Sequence, residues 1–134
     1  MISHITLGTS DLTRARQFYA PLMEALGWSL VVVEDAWMGW TPKDVPRPLF
    51  VVGLPEDDAP ASVGNGTMIA LMASDRAAVR DGHAAGLAQG GTDAGAPGPR
   101  PQYHVDFYGA YLRDPDGNKL CLCCHDPEPG HSDL

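Results

Sequence analysis

The feature that most constrains the fold is an internal repeat. The segments Ser3–Asp11 (SHITLGTSD) and Thr67–Asp75 (TMIALMASD) lie 64 residues apart in a chain of 134. At that one offset, without a gap, Ile5 matches Ile69, Leu7 matches Leu71, Ser10 matches Ser74 and Asp11 matches Asp75. Arg16 with Arg80, Ala20 with Ala84 and Gly27 with Gly91 extend the match. An offset near half the length points to a duplicated unit, and whether two such units pair within one chain or across a dimer stays open.

Each copy reads as a short apolar strand, a cap and a helix. Residues 2–8 and 67–73 are strands by composition and length. Ser10 or Asp11, and Ser74 or Asp75, can accept from the first free N–H groups of a helix. The first helix, about 12–26, places Leu12, Ala15, Phe18, Leu22 and Leu26 at helical spacing. Pro21 predicts a kink rather than an end, because the pattern continues to Leu26, and Gly27 suits the C′ position. The second helix, about 75–88, contains Gly82 and Gly86 and is the weaker of the two. Strands are expected at Trp28–Glu34, Ala36–Thr41 and Leu49–Leu54. In the second copy they are expected at Tyr103–Arg113 and Lys119–His125, joined by the turn Asp114-Pro115-Asp116-Gly117-Asn118. Gln89–Pro101, dense in Gly and Pro, reads as a long functional loop. The division is repeat 1 at about 1–54, a linker at about 55–66, repeat 2 at about 67–125 and a frayed tail at 126–134.

Apolar content of 44% and charged content of 19% are those of a globular chain able to bury a core. A net charge of −8 repels phosphate backbones and anionic lipid, so nucleic acid and membrane are excluded as expected partners. No cationic segment followed by an apolar run opens the chain, and none is long enough to span a bilayer. The three cysteines, Cys121, Cys123 and Cys124, are too close together and odd in number to form a disulfide framework. A reducing, cytoplasmic setting is the simplest reading.

The two βαβββ units, the opening His4-Ile5-Thr6-Leu7 with Asp11-Leu12, and the hairpin Tyr108–Leu120 (YGAYLRDPDGNKL) together resemble the glyoxalase/bleomycin-resistance/dioxygenase superfamily, also called vicinal oxygen chelate. Gly90–Asp93, Pro97–Pro101 and Tyr103-His104 are similar to its small bacterial glyoxalase-like branch. The resemblance covers nearly the whole chain. It implies an α+β fold in which two βαβββ repeats form an open, cup-like β-barrel with helices outside. It also implies a small-molecule ligand or substrate, a homodimer, and a divalent metal acting as a Lewis acid in lyase or dioxygenase chemistry.

The family's ligand positions fall on His4, Met68 and Cys121. Family members carry His, His and Glu there, so two of the three are substituted in this chain. His4 is then either a ligand or a hydrogen-bonded strand histidine. Met68 and Cys121 are either soft donors, with Cys123 and His125 on the same face as Cys121, or apolar fillers of a barrel without metal. Cys121 as a nucleophile is a further alternative. Cys124 alternates with Leu120 and Leu122 and is expected to pack against the second helix. The substrate-binding candidates are Trp40, Arg100, Tyr103, His104 and Tyr111. Trp37 and Phe50 are further candidates for an aromatic pocket wall, against the alternative of core packing. Arg100 either binds a substrate anion or staples its loop. His83 and His131 read as structural or solvated. Three functions from different classes remain: a glyoxalase-type lyase or dioxygenase, a metal-free binding protein that sequesters its ligand, and a degenerate member that serves as a partner subunit.

Overall fold

The computed structural model describes residues 1–128; His131 and most of the expected tail lie outside them. The first unit comprises β1 (His4–Gly8), α1 (Leu12–Leu26), β2 (Trp28–Val33), β3 (Trp37–Pro42) and β4 (Leu49–Gly53). The second comprises β5 (Met68–Met72), α2 (Arg76–Ala88), β6 (Thr92–Pro99), β7 (Tyr108–Arg113) and β8 (Lys119–Cys124). Each unit makes one four-stranded sheet of the same order, β1-β4-β3-β2 and β5-β8-β7-β6. The first strand runs parallel to the last, as His4 opposite Leu49 and Met68 opposite Lys119, and the other pairs are antiparallel. The sheets are open and cup-like, and they do not close into a barrel.

Local chemistry sets the helix ends. The Asp11 carboxylate accepts from the Arg14 N–H at 3.0 Å and starts α1; Asp75 does the same for α2 through Ala78 at 2.8 Å. Gly27 ends α1 in a left-handed conformation, φ +90°, which glycine adopts without a Cβ clash. Phe18, Tyr19, Leu22, Met23 and Leu26 of α1 share one core with Trp40, Phe50 and Val52 of the first sheet and with Leu112, Leu120 and Leu122 of the second.

The two helices pack on each other through the glycines of α2. A Cβ on Gly86 would lie 3.1 Å from Leu22 Cδ1, and one on Gly82 would lie 2.8 Å from Leu26 Cδ2. Each glycine costs the helix about 1 kcal/mol of propensity, whereas each buried Leu or Phe stabilises by about 1.5–3 kcal/mol. Close approach of α1 therefore outweighs the weakness of α2 as a helix. Polar bonds tie the units together as well. Trp28 Nε1 donates to the Met72 carbonyl at 2.8 Å, Asn118 Nδ2 to the Gly8 carbonyl at 2.9 Å, and Thr9 Oγ1 to Asp116 at 2.6 Å.

Three sequence expectations are corrected. Gln89–Pro101 is not a long loop, because Thr92–Pro99 forms β6 and completes the second βαβββ unit. It is an edge strand with register irregularities at Asp93/Gly95 and Gly95/Gly98. An edge strand needs ladder donors on one side only, so Pro97 and Pro99 are tolerated. The strand expected from Tyr103 begins instead at Tyr108, and residues 101–107 form turns closed by Arg100 N–H donating to the Phe107 carbonyl at 2.9 Å. Trp40, expected in a pocket, is 1% exposed and packs with Tyr19 and Phe50 on the helix side of its sheet. Phe50 is core for the same reason.

Candidate functional site

One face of each sheet is covered by its own helix, and the other face is where ligand chemistry is possible. On the first sheet, strand alternation sends Leu7, Met38, Trp40, Phe50 and Val52 to the helix side. His4, Thr6, Trp37, Leu49, Val51 and Gly53 line a depression of about 540 Å³ with Ala36, Leu54 and Glu56. Its walls are mostly apolar, with Trp37, 37% exposed, as its one aromatic side chain. His4 and Glu56 are its ionisable groups. His4 Nδ1 hydrogen-bonds the Ser3 hydroxyl at 3.0 Å.

The corresponding face of the second sheet is filled. Gly109 lacks a Cβ that would stand 2.8 Å from the Phe107 ring, so this ring lies on the sheet face next to Cys123, the strand partner of Gly109. Phe107 packs edge-on to Tyr103, His104 and His125 with centroids at 5.1, 5.7 and 5.3 Å. His104 stacks on His125, and His104 Nε2 is 2.8 Å from His125 Nδ1. The Asp106 N–H donates to His104 Nδ1 at 3.2 Å. These partners assign the tautomers: His104 donates through Nε2, and His125 presents its Nε2–H to Cys123 Sγ at 3.9 Å. Arg100 donates to the Ala96 carbonyl at 2.7 Å and stacks over Tyr111, with its Cζ 5.6 Å from the ring centroid, while the Lys119 ammonium is 5.7 Å from that centroid. Arg100 therefore ties itself to the end of β6, to which Ala96 and Pro99 belong.

Cys121 lies opposite Tyr111 in the ladder, and Cys123 follows on the same face. Hydrogen bonds from the Cys123 thiol and the Tyr111 hydroxyl, with the nearby Arg100 and Lys119 charges, pull the Cys121 thiol below its usual range. Burial first, then Cys121 and Tyr103, push Tyr111 up to about 12. Cys124 points the other way, into the shared core, and burial raises its thiol. His83 is buried and pairs with Asp93 of β6 at 3.1 Å.

The donor set does not suit the divalent metal of the resemblance. Among the described residues no three His, Cys, Asp or Glu side chains are gathered so as to hold a metal ion. His4 is on the first sheet, whereas the thioether of Met68 and the engaged thiol of Cys121 belong to the second. Carboxylate and imidazole suit a hard or borderline divalent ion; a thioether does not. Of the substrate-binding candidates, Arg100, Tyr103, His104 and Tyr111 come together, but as the filling of the second face. The depression on the first face uses Trp37 and adds Leu49, Val51 and Glu56, which the sequence did not single out.

Two four-stranded sheets of identical order, each with one helix, define a paired βαβββ protein. The family model of the Glyoxalase/Bleomycin resistance protein/Dioxygenase superfamily matches residues 1–122, and the chain belongs to that superfamily. It is similar to a solved glyoxalase/bleomycin resistance protein from Albidiferax ferrireducens, with 37% identity, 95% of this chain and 99% of that one covered, and a TM-score of 0.83. A glyoxalase-related enzyme from Fulvimarina pelagi shares the fold at 22% identity, with 92% and 86% covered and a TM-score of 0.67. A family enzyme from Burkholderia phytofirmans shares it at 16% identity, with 92% and 98% covered and a TM-score of 0.66. No curated protein matches the chain. No helix among the described residues is long and apolar enough to cross a membrane.

Proposed function

We propose that this chain is a metal-free, ligand-binding member of its superfamily that holds a small organic molecule in the depression on the first sheet. The observation that carries this reading is the apolar concavity around Trp37, of about 540 Å³, with only His4 and Glu56 as ionisable groups. A ligand with a flat apolar body would lie against the Trp37 ring, and a donor or cationic group would face Glu56. The net charge of −8 favours a cationic ligand at long range. Lyase or dioxygenase chemistry of the family's usual kind would need a divalent metal, and Met68 and Cys121 do not supply its ligands.

On the same reading the protein is a cytoplasmic homodimer. Its three free cysteines suit a reducing compartment. A second copy would cover exposed apolar side chains on the sheets, among them Val31, Val33, Met68 and Met72.

The test has two arms. Tryptophan emission is titrated with a panel of small aromatic cations and neutral aromatics. Saturable quenching that disappears in Trp37→Phe supports the proposal, because Trp40 is sealed in the core and Trp28 is largely buried. Elemental analysis after expression with Fe, Ni, Mn, Zn and Cu is the second arm. Near-stoichiometric metal lost on His4→Ala would overturn the metal-free reading.

A further inference from the structure

The groove between the linker and the last hairpin carries an arrangement that ligand binding at Trp37 does not use. Arg113 of β7 and Lys119 of β8 stand directly opposite each other in the antiparallel ladder. Like charges at such a position, with Cβ atoms about 4.5–5.5 Å apart, destabilise a sheet. The chain carries 17 Asp and Glu against 9 Lys and Arg, yet neither of these cations has a carboxylate partner. Among the described residues the ion pairs are Arg14–Asp116 and His83–Asp93. We propose that Arg113 and Lys119 form a binding site for a compact dianion, the phosphoryl group of a small molecule or of free phosphate.

Both side chains line one hollow of about 520 Å³, whose opposite wall is the end of the linker, Val63-Gly64-Asn65-Gly66-Thr67. The Thr67 N–H donates to the Gly64 carbonyl at 3.1 Å, which folds this end of the linker into a tight turn and keeps Thr67 on the wall. Gly64 is needed there, because a Cβ would run into the Thr67 hydroxyl. No Asp or Glu lines the hollow among the described residues. It shares no lining residue with the Trp37 depression.

Each cation has donors to give. Arg113 spends one N–H on the Gly117 carbonyl at 2.8 Å, which anchors the guanidinium at the hairpin end and leaves its other N–H groups for a ligand. The Lys119 ammonium stands 5.7 Å from the Tyr111 ring centroid and makes no hydrogen bond to another described residue. A planar fork beside a point charge suits an oxyanion: the guanidinium can meet two oxygens and the ammonium a third. Because the two residues face each other across the ladder, their charges converge on one compact dianion rather than on two separated carboxylates. The net charge of −8 repels polyanions at long range, so this short-range pair selects a small phosphate over a nucleic-acid backbone or an anionic lipid surface. A bound dianion also removes the repulsion between the two cations, so the ligand stabilises the hairpin end.

The experiment titrates the protein with inorganic phosphate and with phenyl phosphate at fixed ionic strength, followed by calorimetry and by the rise in Tm. Saturable binding of one phosphate per chain is expected. Lys119→Met keeps the stem beside Tyr111 and should weaken binding about tenfold or more, with the ligand-free Tm unchanged or raised because the repulsion is gone. Arg113→Lys keeps the charge, loses the fork and should weaken binding in the same direction. Arg80→Gln removes a cation of α2 outside the hollow and should bind phosphate as the wild type does. Trp37→Phe should do so too, so this result stands apart from the fate of the Trp37 depression. Phenyl phosphate that displaces inorganic phosphate identifies a monoester as the ligand; phosphate binding without displacement identifies the free ion. The proposal is overturned by the absence of saturable phosphate binding, by undiminished binding in Lys119→Met, or by an equal loss in Arg80→Gln. Succinate that binds as tightly as phosphate overturns it as well.

Discussion

The Tyr19 hydroxyl donates to Asp114 Oδ2 at 2.5 Å, joining α1 of the first unit to the last turn of the second across 95 positions of sequence. Asp114 is nearly inaccessible, and its oxygens also accept from the Asp116 and Asn118 N–H groups and from Asn118 Nδ2 at 2.9–3.0 Å. Tyr19→Phe leaves this carboxylate one donor short in a buried place. The expected loss is about 1–3 kcal/mol in urea unfolding, with an unchanged denaturant slope.

The same pair sets an alkaline limit. Burial, then the Asp114 charge, raises the Tyr19 phenol well above 10. A group whose folded pKa lies above its unfolded value contributes stability below the unfolded pKa and loses it as pH rises through the folded one. Stability should therefore fall as pH climbs beyond about 10, where the unfolded tyrosine ionises. Tyr19→Phe should flatten that part of the profile, measured as Tm against pH.

Gly91 is the repeat partner of Gly27, yet it serves a different purpose. A Cβ there would stand 2.8 Å from the Gly86 carbonyl oxygen, 3.1 Å from that of Arg113 and 2.7 Å from the Phe18 ring. Two of these neighbours are backbone and cannot rotate away. Gly91→Ala is expected to destabilise by about 2 kcal/mol or more, visible as a lowered urea midpoint. If the midpoint does not move, the contact is softer than the geometry states.

Trp37 separates binding from folding. Its side chain is on the open face and is more exposed than any other aromatic of the first sheet. Trp37→Ala should change unfolding free energy by less than about 1 kcal/mol while abolishing saturable binding of aromatic probes, followed by calorimetry. Trp40→Ala should do the reverse, losing about 3–5 kcal/mol of stability because it empties the core.

Much of the fold was legible because duplication wrote it twice. Ile5 and Ile69, and the capping Asp11 and Asp75, show the same strand-then-helix grammar at two places. The edge strand β6 was not legible. Gly95, Pro97, Gly98 and Pro99 carry every mark of a loop, and only pairing with β7 makes them a strand. The site was partly legible. Alternation in Trp37-Met38-Gly39-Trp40 puts the two tryptophans on opposite faces, but nothing local states which face the helix covers. Cys121 and Cys123 were readable as one face because period-2 spacing fixes them, whereas Tyr111, on β7, joins that face only through the ladder register. Their cover by Phe107 follows from a turn that carries no pattern.

The glycine contacts between α1 and α2 bear on how the two halves have diverged. Leu22 and Gly86, 64 residues apart, occupy equivalent places in the repeat, and they meet each other at the helix crossing. A protein built from two copies of α1 would oppose leucine to leucine there, and one built from two copies of α2 would oppose glycine to glycine across a gap. One half has become the key and the other the lock. The duplicated halves are no longer exchangeable parts, and a permuted chain should fold where a chain with either half doubled should not.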